Sequence, residues 1–316
     1  MCKKDEILAI FPDKMKEPME HALLDVDNLN EIRLGVNCPL RFVQGGRELF
    51  VARDGCFVRA PGEAWWVKQE EIDDVMKHVC TYSLYAFENE IRQGFLTVQG
   101  GHRIGLSGKV ILNEDDTVRN ISYIRFMNIR VSHEVLGVAD TVLPYLSEKE
   151  RVLNTLIVSP PGCGKTTLLR DLVRQISDGN DYFSGKQVAV VDERSEIAGS
   201  YLGIPQNQVG IRTDVLDACP KSVGMMLLMR SMAPQVVAVD EIGDEEDMNA
   251  LYQIMKCGTG VIATMHGSSM EDVQMKLGMH RRMFERFIFL SRNMGQSYAR
   301  KVCDIDHQIL FQEITR

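Results

Sequence analysis

The stretch Ser159-Pro160-Pro161-Gly162-Cys163-Gly164-Lys165-Thr166-Thr167 gathers two glycines, a lysine and two threonine hydroxyls. It matches G-x-x-x-x-G-K-[ST] with Ser159 at the first position. Gly162 and Gly164 let such a loop curl until its backbone N–H groups point inward, and a following helix N-terminus adds favourable partial charge. The chemistry is recognition of a polyphosphate. Lys165 would reach the β- and γ-phosphates of ATP, and the Thr166 hydroxyl would bind Mg²⁺. Cys163 reads as a small loop residue, or as a redox-regulated thiol if partly exposed at the helix start.

Carboxylates follow at the ends of apolar runs. Val236-Val237-Ala238-Val239 leads into Asp240-Glu241, and Val190-Val191 leads into Asp192-Glu193-Arg194-Ser195-Glu196. At the carboxyl end of a strand beside a phosphate loop, Asp240 can hold Mg²⁺ through its water shell. Glu241 can polarise an attacking water there. Asp192 and Glu193 suit metal or water positioning, unless Arg194 simply pairs with Glu196. Ala263-Thr264-Met265-His266 places a histidine at the same expected sheet edge, where it could sense the γ-phosphate or relay its loss.

Such groups need elements to hold them. Leu153–Val158, Gln187–Val191, Gln235–Val239 and Gly260–Thr264 are short Val- and Ile-rich runs, as expected for strands buried on both faces. Helix-length segments lie between them at Lys165–Ser177, Lys221–Met232 and Glu245–Lys256. In the first, Leu168, Leu169, Leu172, Val173 and Ile176 recur at helical spacing, with Arg170, Asp171 and Arg174 expected on the outer face. This alternation predicts an α/β domain with a parallel-rich sheet over residues 151–316. Residues 1–135 instead show short strand-like runs, a Gly45-Gly46 hairpin turn, and helical stretches near Glu70–Cys80 and Leu84–Arg92. They predict a smaller α+β domain, joined through a linker or connecting helix at 136–150. The end of the chain, with Gln296–Val302 and His307–Phe311 strand-like, is expected to add edge strands.

Hydrophobic residues are 45% and charged residues 25% of the 316, a globular balance. With 36 Lys and Arg against 44 Asp and Glu, the net charge is −8, which argues against a nonspecific nucleic-acid coat. Arg281, Arg282, Arg286, Arg292, Arg300 and Lys301 make the end locally basic. Without interleaved aromatics, that basicity favours a solvated face or subunit contact over nucleic-acid binding. No run approaches the roughly 20 apolar residues of a membrane span, and the first residues lack a secretory signal. Eight scattered cysteines and seven histidines form no C-x-x-C or ligand-like pair. The expectation is a cytoplasmic chain without a resident metal site.

The succession of phosphate loop, Asp192-Glu193-x-x-Glu196, Leu228-Met229-Arg230-x-x-x-Pro234 leading to Asp240-Glu241, and Thr264-Met265-His266 resembles the secretion and pilus ATPases of the RecA-like superfamily. Those carry a Walker A loop, an acidic box, a Walker B strand and a histidine box in this order. Over the whole chain, through Glu31-Ile32-Arg33-Leu34, Gly105-Leu106-Ser107-Gly108 and Pro160–Thr167, it resembles the stage III AA family of sporulation proteins of endospore-forming bacteria. The resemblance implies a RecA-like P-loop core, a homo-hexamer with ATP sites between subunits, and arginines offered to a neighbour's phosphates. Arg125 and Arg130 are the counterparts, or else outward charges on an amphipathic strand. It also implies a Mg²⁺-dependent ATPase that powers or assembles a secretion-like membrane channel in endospore formation, docked from the cytoplasm. Asp192 matches the family's catalytic carboxylate by position and Glu193 by chemistry, while Glu241 follows Walker B logic; the longer side chains of Glu193 and Glu241 reach a water more easily. The alternatives are a RecA-like nucleic-acid translocase and a nonhydrolytic nucleotide-dependent scaffold.

Overall fold

A computed structural model describes residues 2–81, 87–293 and 296–313. The chain divides into two compact units, 1–133 with 199–201, and 134–198 with 202–316.

The first unit opens with helices α1 (Lys3–Leu8) and α2 (Asp13–Ala22). Its seven-stranded sheet has the order β4-β3-β2-β1-β7-β6-β5, all neighbours antiparallel. The strands are β1 (Leu29–Gly35), β2 (Arg41–Gln44), β3 (Arg47–Val51), β4 (Phe57–Val58), β5 (Phe95–Thr97), β6 (Arg103–Leu112) and β7 (Val118–Arg130). Gln44 pairs with Arg47 across Gly45 and Gly46, both at positive φ, which is the hairpin turn read from the sequence. Helix α3 (Gln69–Val79) matches its expected stretch. Of the stretch expected at Leu84–Arg92, residues 84–86 lie outside the described residues, and α4 (Glu88–Gln93) is the described part. One core joins Ile7, Phe11 and Met19 of the leading segment to Ile32, Phe42, Val75, Ile104 and Ile129.

The second unit holds an eight-stranded sheet in the order β12-β11-β13-β14-β10-β15-β16-β17. A small hairpin, β8 (Ser147–Glu148) with β9 (Arg151–Val152), precedes it. Strands β10 (Thr155–Ser159), β11 (Val188–Asp192), β12 (Thr213–Asp217), β13 (Val236–Val239), β14 (Gly260–His266) and β15 (Arg286–Asn293) run parallel. Strands β16 (Gln296–Asp304) and β17 (Ile309–Gln312) extend the β15 edge antiparallel. Helices α5 (Lys165–Asp178), α6 (Lys221–Ser231), α7 (Glu245–Lys256) and α8 (Met270–Leu277) complete the unit.

Alternation along the central strands explains their apolar runs. Ile157, Val190, Ala238 and Ile262 enter a core shared with α5, whereas Val158, Val191, Val239 and Ala263 enter one shared with α6, α7 and α8. Both faces are therefore dry, and no polar alternation marks the strands. The 136–150 segment forms a 3₁₀ turn at Leu143–Tyr145 and the β8 strand. It contributes Ala139, Val142, Leu143 and Leu146 to the α5-side core.

One expectation about α5 is overturned. Asp171 does not face out: it is buried, accepts the Ala139 N–H at 2.8 Å, and pairs with Arg174 at 2.6 Å. The 139–146 segment covers the flank that helical periodicity alone would leave to water.

Candidate nucleotide site

β10 ends at Ser159, which sits in register with His266 at the end of β14. The loop that follows turns at Gly162 and Gly164, both at positive φ, and a Cβ on either would meet no atom within 4 Å. The space in front of the loop is therefore open. Helix α5 has Gly164 as its N-cap and no side-chain cap. Ser159 is buried and its hydroxyl donates to the Pro160 carbonyl at 2.8 Å. Cys163 is buried, its Sγ 3.8 Å from the Pro161 carbonyl, so the partial exposure on which a redox role depended is absent.

The register draws charged groups together at the carboxyl ends of β10, β13 and β14. Lys165 Nζ lies 2.8 Å from His266 Nδ1, and the other imidazole nitrogen contacts the Glu241 carboxylate. Burial pulls the Lys165 ammonium below its ordinary value, opposed by the charges of Asp240 and Glu241. The Thr166 hydroxyl donates to Asp240 Oδ2 at 2.7 Å, and the buried Thr264 hydroxyl donates to Asp240 Oδ1. Glu241 has φ +50, and its N–H is held by Thr264 Oγ1 at 2.9 Å and Asp240 Oδ1 at 3.0 Å. That left-handed turn swings the Glu241 side chain away from the strand axis towards His266 and Arg194, whose Nη1 is 3.5 Å away.

The two acids after β11 behave differently. Asp192 is 2% exposed and accepts the backbone N–H groups of Glu196, Ile197 and Ala198 at 2.8, 3.0 and 2.8 Å. Burial pushes its carboxyl up to about 6, against the pull of those three donors. With both oxygens engaged, Asp192 pins the loop after the strand. Glu193 is freer, and Lys221 at the start of α6 is its partner. Arg194 Nη1 lies 3.5 Å from the Glu241 carboxylate, while Glu196 and Ile197 give their carbonyls to Arg170.

The structure thus brings together Lys165, Thr166, Asp240, Glu241 and His266, with Glu193 lining a small neighbouring cleft beside Lys221 and Glu241. Arg125 and Arg130 lie on β7 of the first unit, and the hydrogen-bonded cluster contains neither; Arg125 donates to Gln69 Oε1 at 2.6 Å. Thr264 and Lys221 were not among the site residues read from the sequence. For Lys221 a signal existed, because a cation in the first turn of a helix opposes the macrodipole unless a specific anion holds it. Among the described residues no group of three or more His, Cys, Asp or Glu could hold a metal ion. A hydroxyl and one carboxylate 2.7 Å apart beside a phosphate loop nevertheless fit Mg²⁺, which keeps waters and takes its other ligands from phosphates.

A parallel-rich sheet with a Gly-Cys-Gly-Lys-Thr loop after β10 and acids at the ends of β11 and β13 gives a RecA-like α/β fold of the kind found in secretion and pilus ATPases. The fold is similar to that of the ATPase DotB from Legionella pneumophila, with TM-score 0.57, 16% identity, and 92% of this chain and 80% of that one covered. It is also similar to the pilus retraction motor PilT solved with bound ADP, with TM-score 0.60, 13% identity, and coverage of 92% and 82%. Residues 1–307 match the family described as sporulation stage III, protein AA, and the chain belongs to that family. A relative named stage III sporulation protein AA, from Bacillus subtilis strain 168, is 38% identical over 314 residues, covering 97% of each chain. No helix among the described residues is long and apolar enough to cross a membrane.

Proposed function

We propose that the chain binds and hydrolyses ATP and uses the cycle to drive or assemble a secretion-like membrane complex during endospore formation. The observation that carries the reading is the single hydrogen-bonded cluster of Lys165, His266, Glu241, Asp240, Thr264 and Thr166 around an open phosphate loop. Residues Ser159–Thr167 would wrap the phosphates through backbone N–H groups, and Lys165 would exchange His266 for phosphate oxygens. Thr166, and Asp240 through water, would hold Mg²⁺. When bound with the nucleotide, Mg²⁺ supplies neutralisation of the phosphate charge.

Release of Lys165 from His266 would leave the imidazole with Glu241 alone, so nucleotide arrival and carboxylate position are coupled through one ring. Glu241 would orient the attacking water, with Glu193 held in reserve by Lys221, and Asp192 acting only by anchoring the loop. The work is done in a homo-hexameric ring docked on the cytoplasmic side of its membrane partners. There Arg125 and Arg130 would be offered to a neighbour's phosphates, a role suited to a permanently charged, bidentate side chain. Membership in the sporulation family and likeness of fold to secretion and pilus ATPases support this setting.

Lys165→Ala tests the core of the proposal. Loss of a charged hydrogen-bond donor to phosphate should weaken binding of a fluorescent ATP analogue by at least about tenfold. Wild-type affinity in that variant would withdraw the phosphate-loop assignment.

A further inference from the structure

The basic character of the chain's end is not evenly spread. Arg286 Nε donates to the Tyr145 carbonyl at 2.8 Å, and Arg300 donates to the Val138 carbonyl and the Thr141 hydroxyl, so both are committed inside the second unit. Among the described residues, α8 and the 3₁₀ turn Gly278–Met283 that follows it present exposed side chains, with Val273 and Leu277 buried beneath. Met275 is 76% exposed and Met279 71%. Around them in the chain stand His280, Arg281 and Arg282, with Lys276 held by the His266 carbonyl; residues 274–284 contain no Asp or Glu, the acids of α8 being Glu271 and Asp272 in its first turn, in a chain of net charge −8. His280 and Arg282 are exposed, and Arg281 Nη1 lies 3.3 Å from His307 Nε2.

Two thioethers in water beside a cluster of cations ask for a partner with apolar and acidic groups together. Methionine surfaces adapt to the shape of an incoming segment, and a local basic rim on an acidic protein steers acidic partners to one place. A membrane surface is a poorer match: α8 has eight residues, about 12 Å of helix, and the patch lacks the aromatic or leucine-rich face that buries into lipid. Nucleic acid finds no aromatic platform there. We propose that α8 and the turn after it form a docking surface for an acidic amphipathic segment of a partner protein.

The surface is firmly tied to the end of β14. Ser268 donates through N–H and hydroxyl to Asp272 at 2.7 and 2.8 Å, and Lys276 Nζ donates to the His266 carbonyl at 2.8 Å. Gly267 N–H in turn donates to the Ser159 carbonyl at 3.2 Å, and a side chain at Gly267 would press on Val158 and Asp272. A segment seated on α8 therefore pulls on the strand end that carries His266. That any such pull is felt by a nucleotide rests on the function proposed above; the docking itself does not.

The test uses the full chain and a fluorescent peptide of about 18 residues with leucines on one helical face and glutamates on the other. Its lysine-for-glutamate counterpart and phosphatidylglycerol vesicles serve as competitors. The glutamate peptide should bind at least about tenfold tighter than the lysine peptide, and more weakly as salt rises. The paired substitutions Met275→Ser with Met279→Ser, and Arg281→Glu with Arg282→Glu, should each weaken it by about tenfold or more, with circular dichroism unchanged. Equal affinity for both peptides, undiminished binding in either variant, or no binding up to about 1 mM peptide overturns the proposal. So does vesicle binding that both variants abolish, which would make the patch a lipid contact, or self-association that both abolish, which would make it a contact between copies. The peptide assay contains no nucleotide, so failure of the nucleotide reading and failure of this one are read separately.

Discussion

Replacing Thr264 by valine removes one hydroxyl at nearly constant volume, in a side chain with no solvent exposure. That hydroxyl donates to Asp240 Oδ1 and accepts the Glu241 N–H at 2.9 Å. The N–H keeps a second acceptor, Asp240 Oδ1 at 3.0 Å, and Asp240 keeps the Thr166 hydroxyl at 2.7 Å. Neither group is orphaned, so the loss is one hydrogen bond to a charged group and one arm of the Glu241 N–H's shared bond, about 2–3 kcal/mol of stability. The functional cost is separate. If Asp240 holds Mg²⁺, removing the partner that orients it should weaken metal affinity by about 10–100-fold. ATP hydrolysis followed as Mg²⁺ is titrated at fixed ATP should show a midpoint raised by that factor, with the rate recovered at saturating Mg²⁺. Thr264→Ser retains the hydroxyl and should stay near wild type. A destabilised Thr264→Val protein with an unshifted Mg²⁺ midpoint would refute the metal role of Asp240. An unchanged unfolding midpoint would refute the hydrogen-bond accounting itself.

Glu241→Gln should preserve nucleotide binding and lower turnover by about 10²–10⁴-fold, the usual contribution of a positioned base; Glu193→Gln should cost less than about tenfold. The reverse result moves the base to Glu193, and full turnover in both removes either carboxylate from that role. In the first unit, His102 is fully buried, accepts the Ser132 N–H at 3.0 Å, and has its pKa lowered by burial to about 4. The unfolded chain takes a proton near pH 6.5 that the folded chain refuses, so stability present above that pH is lost as pH falls towards 4. The full loss is about 3 kcal/mol. Unfolding free energies of wild type and His102→Asn measured from pH 7 to pH 4 should differ by an amount that changes by that figure; a constant difference would sink the idea.

What the sequence revealed and what it hid have the same physical origin. Strands β10, β11, β13 and β14 are buried on both faces, so their residues had to be apolar and their runs were plain. The Ser159–Thr167 loop was equally plain as a motif, because a phosphate loop needs glycines, a lysine and a hydroxyl at fixed offsets. β12 escaped notice: Thr213-Asp214-Val215-Leu216-Asp217 is an edge strand, half-buried throughout, with no face that must be apolar. β15 was obscured because Arg286 spends its charge on the Tyr145 carbonyl, a contact 141 residues away in the chain. Asp192 and Glu193 looked like twins, yet one binds three backbone N–H groups and the other a lysine 28 residues further on. Local spacing carries no information about such partners.

The docking of residues 139–146 on α5 bears on how this protein can be taken apart. Asp171 receives the Ala139 N–H, and Val142, Leu143 and Leu146 fill the core on that side. A fragment begun at residue 151, just before the first strand of the large sheet, would strip that core of its cover. It would also leave a buried aspartate facing water-exposed hydrocarbon. Such a piece would be prone to aggregate however intact its phosphate loop. Dissection of the second unit should therefore start near residue 134, and residues 134–150 behave as part of its body rather than as a tether leading to it.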